Sequence, residues 1–247
     1  MLETITNHNL ILMLNEHWQN LLYTDGYKIT GLAMTIWLLV LSATIGWFFS
    51  VFLAVARSSK NRLISLPVWL FTYVFRGTPF YIQLLLIYNG LIVLDIVQDN
   101  AALKSFFRVG FNCALVALIL NTAAYTTEII AGAIKNVDPG EIEAAQAYGM
   151  SRFQVYTRII LPTALRNSLP SYGNEVILLL HCTSLAFGAT VPEFFSVIKF
   201  INAKYLDSLT IYIFAGFVYL ILAYTLIALF RLAEKRWLSY LQPSNSQ

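Results

Sequence analysis

This chain is short of charge, short of cysteine and empty of the common catalytic signatures. Only 12% of its 247 residues are charged, where an ordinary soluble domain carries about 25%. That shortage argues against a soluble protein, whose helices need polar faces. The two cysteines, Cys113 and Cys182, form no C-x-x-C pair, so neither a zinc site nor a disulfide framework is indicated. None of the twelve glycines is followed by lysine. A G-x-x-x-x-G-K-[ST] phosphate loop is therefore missing, and the chain cannot bind ATP in that way. H-E-x-x-H and G-x-S-x-G are missing as well, so no motif nominates a hydrolase. Serine and histidine do occur in apolar stretches, but nothing pairs them as an intramembrane protease would require. A net charge of +3 is too small to point to nucleic acid. The start, MLETITNHNLILMLNEHW, lacks the basic segment and cleavage site of a secretory signal.

What is present is apolar mass. Hydrophobic residues make up 58% of the chain, including 17 Phe, 14 Tyr and 5 Trp, and the mean hydropathy is +0.66. A helix that crosses a bilayer needs about 20 mostly apolar residues, because its backbone must satisfy its own hydrogen bonds. Five stretches qualify, near Ile29–Ala56, Leu63–Leu94, Cys113–Ile134, Leu169–Val191 and Ile211–Leu229. The expected fold is an all-α integral membrane protein with five transmembrane helices. Its charges are unevenly shared. Ten of the sixteen Lys and Arg fall in three segments that must lie on one side: Arg57, Lys60 and Arg62; Lys135, Arg152, Arg158 and Arg166; Arg231, Lys235 and Arg236. Cytosolic loops carry such an excess. The N-terminus is therefore expected outside and the C-terminus inside. Residues 1–26 form an outer or interfacial segment, 27–237 the membrane domain, 135–166 a cytosolic loop and 238–247 a cytosolic tail.

The cytosolic loop is polar and finely punctuated. In EIEAAQAYGMSRFQVYTRIILP, residues 141–162, two short helices are expected. Asp138 caps the first, Pro139 suits its first position, and Glu141 completes a capping box. Gly149 ends it. Ser151 starts the second with Gln154 three residues on, and Pro162 interrupts or kinks that helix near the membrane. Ala144 and Ala145, beside Glu143, present a small-residue surface that a partner can approach closely. Three readings compete: a hairpin packed on its own spans, a helix-turn-helix, and a docking knob for a cytosolic partner. About 35 residues cannot supply the separate core that a DNA-reading domain requires, so the second is rejected.

Ionisable groups in apolar stretches are costly and face cavities or partners. Arg76 lies fourteen residues beyond Arg62, about 21 Å along a helix. Gly77 and Pro79 beside it, around Thr78, can open the helix, and broken helices mark binding sites in transporters. A guanidinium suits a carboxylate. Arg76 therefore either meets substrate or holds the bundle together through Glu175 or backbone carbonyls. Glu175 and His181 carry the same two readings, substrate path or core, while Glu128 is a gate or a packing partner. Ser42, Gly46 and Ser50, spaced by four, make a ridge for close helix contact within this bundle or with a neighbouring subunit. Residues 191–207 read as an outer-face interfacial helix, fit for lipid or for a soluble partner.

The loop resembles the coupling loop of ABC importer membrane subunits, whose pattern is E-A-A, three residues, G, nine residues, I-x-L-P. Glu143, Ala144, Ala145, Gly149, Ile159, Leu161 and Pro162 stand at that spacing. FRGTP at 75–79, AYTTEIIAGAI at 124–134 and SLPSYGNEVILLLHCTSLAF at 168–187 are similar to the polar amino-acid branch of these permeases. His181-Cys182, where Lys-Asp is usual, resembles the M-type subunits of histidine and lysine/arginine/ornithine uptake. Glu141 in place of glutamine and Ile130-Ala131 in place of Phe-Arg are further departures. The resemblance implies a type I importer permease of the bacterial inner membrane that is not itself catalytic. It also implies a sister permease subunit, two ATPase subunits that bind the ATP and Mg, and a periplasmic amino-acid-binding protein. No cofactor, metal or nucleic acid is expected on this chain. Glutamine or another polar amino acid is the alternative cargo, and an ATP-independent secondary transporter is the alternative class.

Overall fold

The computed structural model describes residues 2–237, with side chains from Leu10 onward; the tail expected at 238–247 lies outside them. Helix α1 (Leu2–Leu22) leads through a short turn to α2 (Gly31–Arg57). Next come α3 (Arg62–Gly77) and α4 (Phe80–Leu85), which a π-helical turn at Leu86–Gly90 extends. Two short helices, α5 (Asp95–Gln98) and α6 (Ala101–Phe107), precede α7 (Gly110–Lys135). Then follow α8 (Pro139–Ala147), α9 (Arg152–Val155), a π-helical turn at Tyr156–Ile160 and α10 (Leu161–Thr183). A 3-10 segment at Ser184–Ala189, α11 (Phe194–Tyr205) and α12 (Ser208–Trp237) complete the chain.

α7 is the axis. Its Ala, Thr and Asn residues from Cys113 to Ala131 are largely buried, and small side chains let neighbouring backbones come close. α2 lies along it. Ser42, Gly46 and Ser50 are all buried, and a Cβ on Gly46 would collide with the Cγ2 of Thr122. The small-residue ridge therefore serves this bundle's own α2–α7 contact. Leu38, Leu84, Ala117, Leu118, Leu179 and Leu180 form the main core where α2, α4, α7 and α10 meet.

Each of the five apolar stretches contains a helical unit, but they are not equally apolar. α2, α7 and α12 are long and apolar enough to cross a membrane, and α3 with α4 makes a fourth if the bent pair is one span. α10 carries Arg166, Asn167, Asn174, Glu175 and His181 and does not pass on composition. The stretch expected to be one span at Leu63–Leu94 is broken by a bend of 106°. Pro79 drives the residue before it out of the helical region, and Thr78 is extended at φ −115° and ψ 146°. The carbonyls freed by the break are not left bare. The Gln83 side-chain amide donates to the carbonyls of Phe75 (2.7 Å) and Thr78 (3.0 Å), and Asn121 of α7 donates to its oxygen (3.3 Å).

α11 does more than lie on a surface. Phe194, Val197, Ile198 and Ile201 are buried and pack with Met13 and Leu21 of α1 and Ile211 and Ala215 of α12. On its outer side Phe200 stays exposed.

Candidate functional sites: a docking loop and a membrane cavity

The loop between α7 and α10 is rigid by construction. Asp138 caps α8 by accepting from the amide of Gly140 at 2.8 Å, with Pro139 at the first helical position. Because Asp138 engages the second amide of the helix rather than the third, the reciprocal capping box expected from Glu141 is not closed; Glu141 is exposed. At the other end Gly149 takes φ +78°. The amide of Met150 reaches the carbonyl of Ala145 (3.2 Å) and that of Gly149 reaches Gln146 (2.9 Å). This paired arrangement is a Schellman cap. Ser151 and Gln154 do form a reciprocal capping box. Pro162 marks an interruption of the second helix, as expected: the backbone stays helical from Arg152 into α10, but directly before the proline, at Tyr156–Ile160, it widens into a π-helical turn, and a proline lacks the N–H that a regular turn would use there.

This geometry decides which side chains are offered outward. Glu143 and Ala144 are exposed, whereas Ala145 is buried, as are Val137 and Val155 on either side of α8 in sequence. The pair of alanines is therefore not presented as a unit; one faces out and the other faces in. Tyr148 is 90% exposed and Phe153 is 76% exposed. Exposed aromatic rings are of the residue type that anchors protein interfaces. Ile159, Leu161 and Pro162 are half-buried at the loop's root.

The second site is a cavity of about 560 Å³ at the broken helix. Arg76, Gly77, Thr78 and Pro79 line it from the bend, and Glu175 and His181 line it from α10. Asn121 and Tyr125 of α7 complete the wall; the sequence reading missed both because no charge marks them. The six residues nominated from sequence thus share one space. Arg76 makes no ion pair with Glu175 among the described residues. Its guanidinium lies over the ring of Tyr125, 5.3 Å from the centroid, and Tyr125 donates to its carbonyl at 3.3 Å. Glu175 is only 5% exposed and takes no hydrogen-bond partner among the described residues. Burying a carboxylate without a partner is costly, so its place on a cavity wall is the feature most in need of a ligand.

Glu128 stands apart from that cavity. Its Oε1 accepts from Arg57 Nε and from Thr72 Oγ1, each at 2.7 Å, which joins α7 to α2 and α3. Glu193 was not singled out from sequence. It is fully buried and caps α11, accepting from the amides of Phe195 and Ser196 at 2.7 Å each. The signal was there, in a glutamate just before FFSVI. No group of three His, Cys, Asp or Glu is arranged for a metal among the described residues.

Long apolar helices, a polar loop between α7 and α10 and a charged cavity at a broken helix are the features to set beside known proteins. The profile of the family "Binding-protein-dependent transport system inner membrane component" matches residues 46–239, and the chain belongs to that family. It is 55% identical over 237 residues to the histidine/lysine/arginine/ornithine transport system permease protein HisM of Escherichia coli K12, covering 96% of this chain and all of that one. It is 42% identical to the nopaline transport permease NocM of Agrobacterium fabrum over 81% of this chain and 83% of that one. Among solved structures, an amino acid ABC transporter crystallised with histidines aligns with a TM-score of 0.73 at 33% identity, covering 83% of this chain and 92% of that one. The MetNI methionine transporter shares the fold, with a TM-score of 0.58 at 21% identity over 92% of this chain and 95% of that one.

Proposed function

We propose that this chain is one permease subunit of an ATP-driven importer that carries histidine and the basic amino acids across the bacterial inner membrane. Five spans, with α10 counted as one, leave the N-terminus outside and put the α7–α10 loop and the C-terminus in the cytosol, where the basic segments favour them. A sister permease subunit completes the pathway. Two ATPase subunits bind ATP and Mg and grip the loop through Glu143, Ala144 and the face around Gly149, while a periplasmic protein delivers the cargo. Closure of the ATPases pushes α8. The Schellman cap and the capping box keep the push from being lost in the loop, and Ile159, Leu161 and Pro162 pass it to α10.

The single observation that carries the cargo assignment is the charge pattern of the cavity. Arg76 suits an amino acid's α-carboxylate, and the partnerless Glu175 suits a cationic end. His181 lies on the same wall. Glu128 is a brace, since its carboxylate is already engaged by Arg57 and Thr72. The test is ATP-driven uptake in proteoliposomes that hold all the subunits and the binding protein, with labelled histidine, arginine, lysine and glutamine. Glu175→Gln is expected to raise the KM for the basic amino acids by about tenfold or more, the worth of a hydrogen bond to a charged group, and to leave any glutamine uptake unchanged. Equal uptake kinetics for the variant and the parent remove Glu175 from the path. Uptake without ATP removes the importer class.

A further inference from the structure

A second cavity, about 920 Å³, shares no lining residue with the one at the broken helix. It lies between α2, the start of α10 and the end of α12, and two features set it apart. Its floor is aromatic and aliphatic, with Trp47, Phe48, Leu165 and Leu169. Two guanidinium-bearing residues, Arg166 and Arg236, line it as well, and no acidic residue does. Neither arginine makes an ion pair among the described residues. Glu234, the acid nearest to Arg236 in sequence, lines a different cavity with Arg231. The tail 238–247 contains no Asp or Glu, so none of its side chains can neutralise the pair.

The depth of the groove has the scale of a lipid chain. Pro162 and Tyr172, both in its lining, stand ten residues apart on α10, about 15 Å at 1.5 Å per residue. That is about half of the hydrocarbon thickness. At the deep end Tyr172 donates to the carbonyl of Ala43 at 3.1 Å, which fastens α10 to α2 and closes the floor. At the mouth stands Trp237, 57% exposed, a residue type that favours the headgroup level. Arg166 and Arg236 both belong to the basic segments that face the cytosol. A groove that is apolar below, aromatic at the rim and doubly cationic at its cytosolic mouth complements an anionic phospholipid of the inner leaflet.

We propose that this groove binds one anionic phospholipid, with one of its acyl chains against Trp47, Phe48 and Leu169 and its phosphate between Arg166 and Arg236. The groove also touches Pro162, so the lipid would abut the root of the docking loop.

The assembled complex is reconstituted in nanodiscs of phosphatidylethanolamine and phosphatidylglycerol, extracted gently, and weighed intact by native mass spectrometry. The parent is expected to retain phosphatidylglycerol in preference to phosphatidylethanolamine. Each basic group near an anionic surface contributes about a fivefold preference, so R166Q/R236Q together should lower that preference by about thirty-fold. The charge-matched variant R231Q/K235Q should keep it. Equal losses in the two double variants, or no preference in the parent, overturn the proposal. So does displacement of the lipid by millimolar inorganic phosphate, which would make the site a free-anion site. A photoreactive benzoylphenylalanine at Phe48 checks the occupant independently of charge. An adduct with the mass of a phospholipid supports the proposal, and an adduct to the sister subunit or to the segment 238–247 overturns it.

Discussion

Replacement of Glu128 with alanine is expected to be among the more damaging single changes in this bundle. Its Oε1 receives two short bonds, from Arg57 Nε and Thr72 Oγ1, and the Arg57 and Glu128 side chains are only 20% and 21% exposed. Hydrogen bonds to charged groups contribute about 1.5–3 kcal/mol each. The remaining exposure places both near the lower end, so Glu128→Ala should cost about 3 kcal/mol. Most of that arises because a half-buried guanidinium loses its acceptor; the Thr72 hydroxyl still has the carbonyl of Trp69 at 3.0 Å. Glu128→Gln keeps an acceptor oxygen and should cost less than half as much. The assay is reversible unfolding in mixed dodecyl sulfate micelles, run as a double-mutant cycle with Arg57→Ala and again with Thr72→Val. Coupling of about 1.5 kcal/mol with Arg57 and about 1 kcal/mol with Thr72 is expected for residues in contact. Coupling below about 0.5 kcal/mol in both cycles would refute the idea that this carboxylate joins three helices.

Gly46→Ala should cost about 1–3 kcal/mol through overpacking, and Thr122→Ser should recover part of it. The serine removes the one methyl that the new Cβ meets, the other neighbours being no closer than 3.4 Å; the same unfolding assay reads both. Glu193→Ala should destabilise the α11 region by about 2 kcal/mol, the upper range for a lost helix cap, and slow exchange in α11 should be lost in hydrogen–deuterium exchange. The tether between α1 and α11 should depend on pH. Lys204 and Tyr205 bond the carboxylate of Glu16. They hold its pKa below the ordinary 4.5, chiefly through those bonds, and Glu16 in turn raises that of Lys204 above 10.5. A depressed carboxylate contributes above 4.5 and is lost as pH falls through its folded value. A raised amine contributes below 10.5 and is lost as pH rises through its own. Protection of α1, its exchange relative to the intrinsic rate at the same pH, should therefore be greatest between these limits and fall in acid, and Glu16→Gln should remove the acid limb.

The parts of the fold that one local signal determines were readable in advance. Helices α2, α7 and α12 follow from unbroken apolar runs, and the Gly149 and Ser151 caps follow from residue types at fixed offsets. The bend at Gly77–Pro79 was legible as a place that could open, but its 106° depends on Gln83, which reaches back across the break from a position that no motif marks. Pro162 marked where the second helix is disturbed, but not that the disturbance is a π-helical turn through which the helix runs on into α10. Contacts across long sequence separation were not legible at all. Arg57 and Glu128 are 71 residues apart, and nothing local pairs them. For the cavity, the charged residues announced themselves because charge is rare here, while Asn121 and Tyr125 on the same wall did not. The ridge at Ser42, Gly46 and Ser50 showed that something packs closely; only the folded chain shows that the something is Thr122.

The claim that most needs testing is that the loop passes force from the ATPase to the bundle. In proteoliposomes with all subunits and the binding protein, ATP hydrolysis and uptake of labelled histidine would be measured together for the parent and for Glu143→Lys, with subunit stoichiometry checked after solubilisation. The expected result is loss of uptake and of hydrolysis stimulated by the binding protein, although the chain still inserts and keeps its sister subunit, because the reversed charge sits on the exposed face of α8. Uptake and stimulated hydrolysis at parental rates in the variant would contradict that role for the loop.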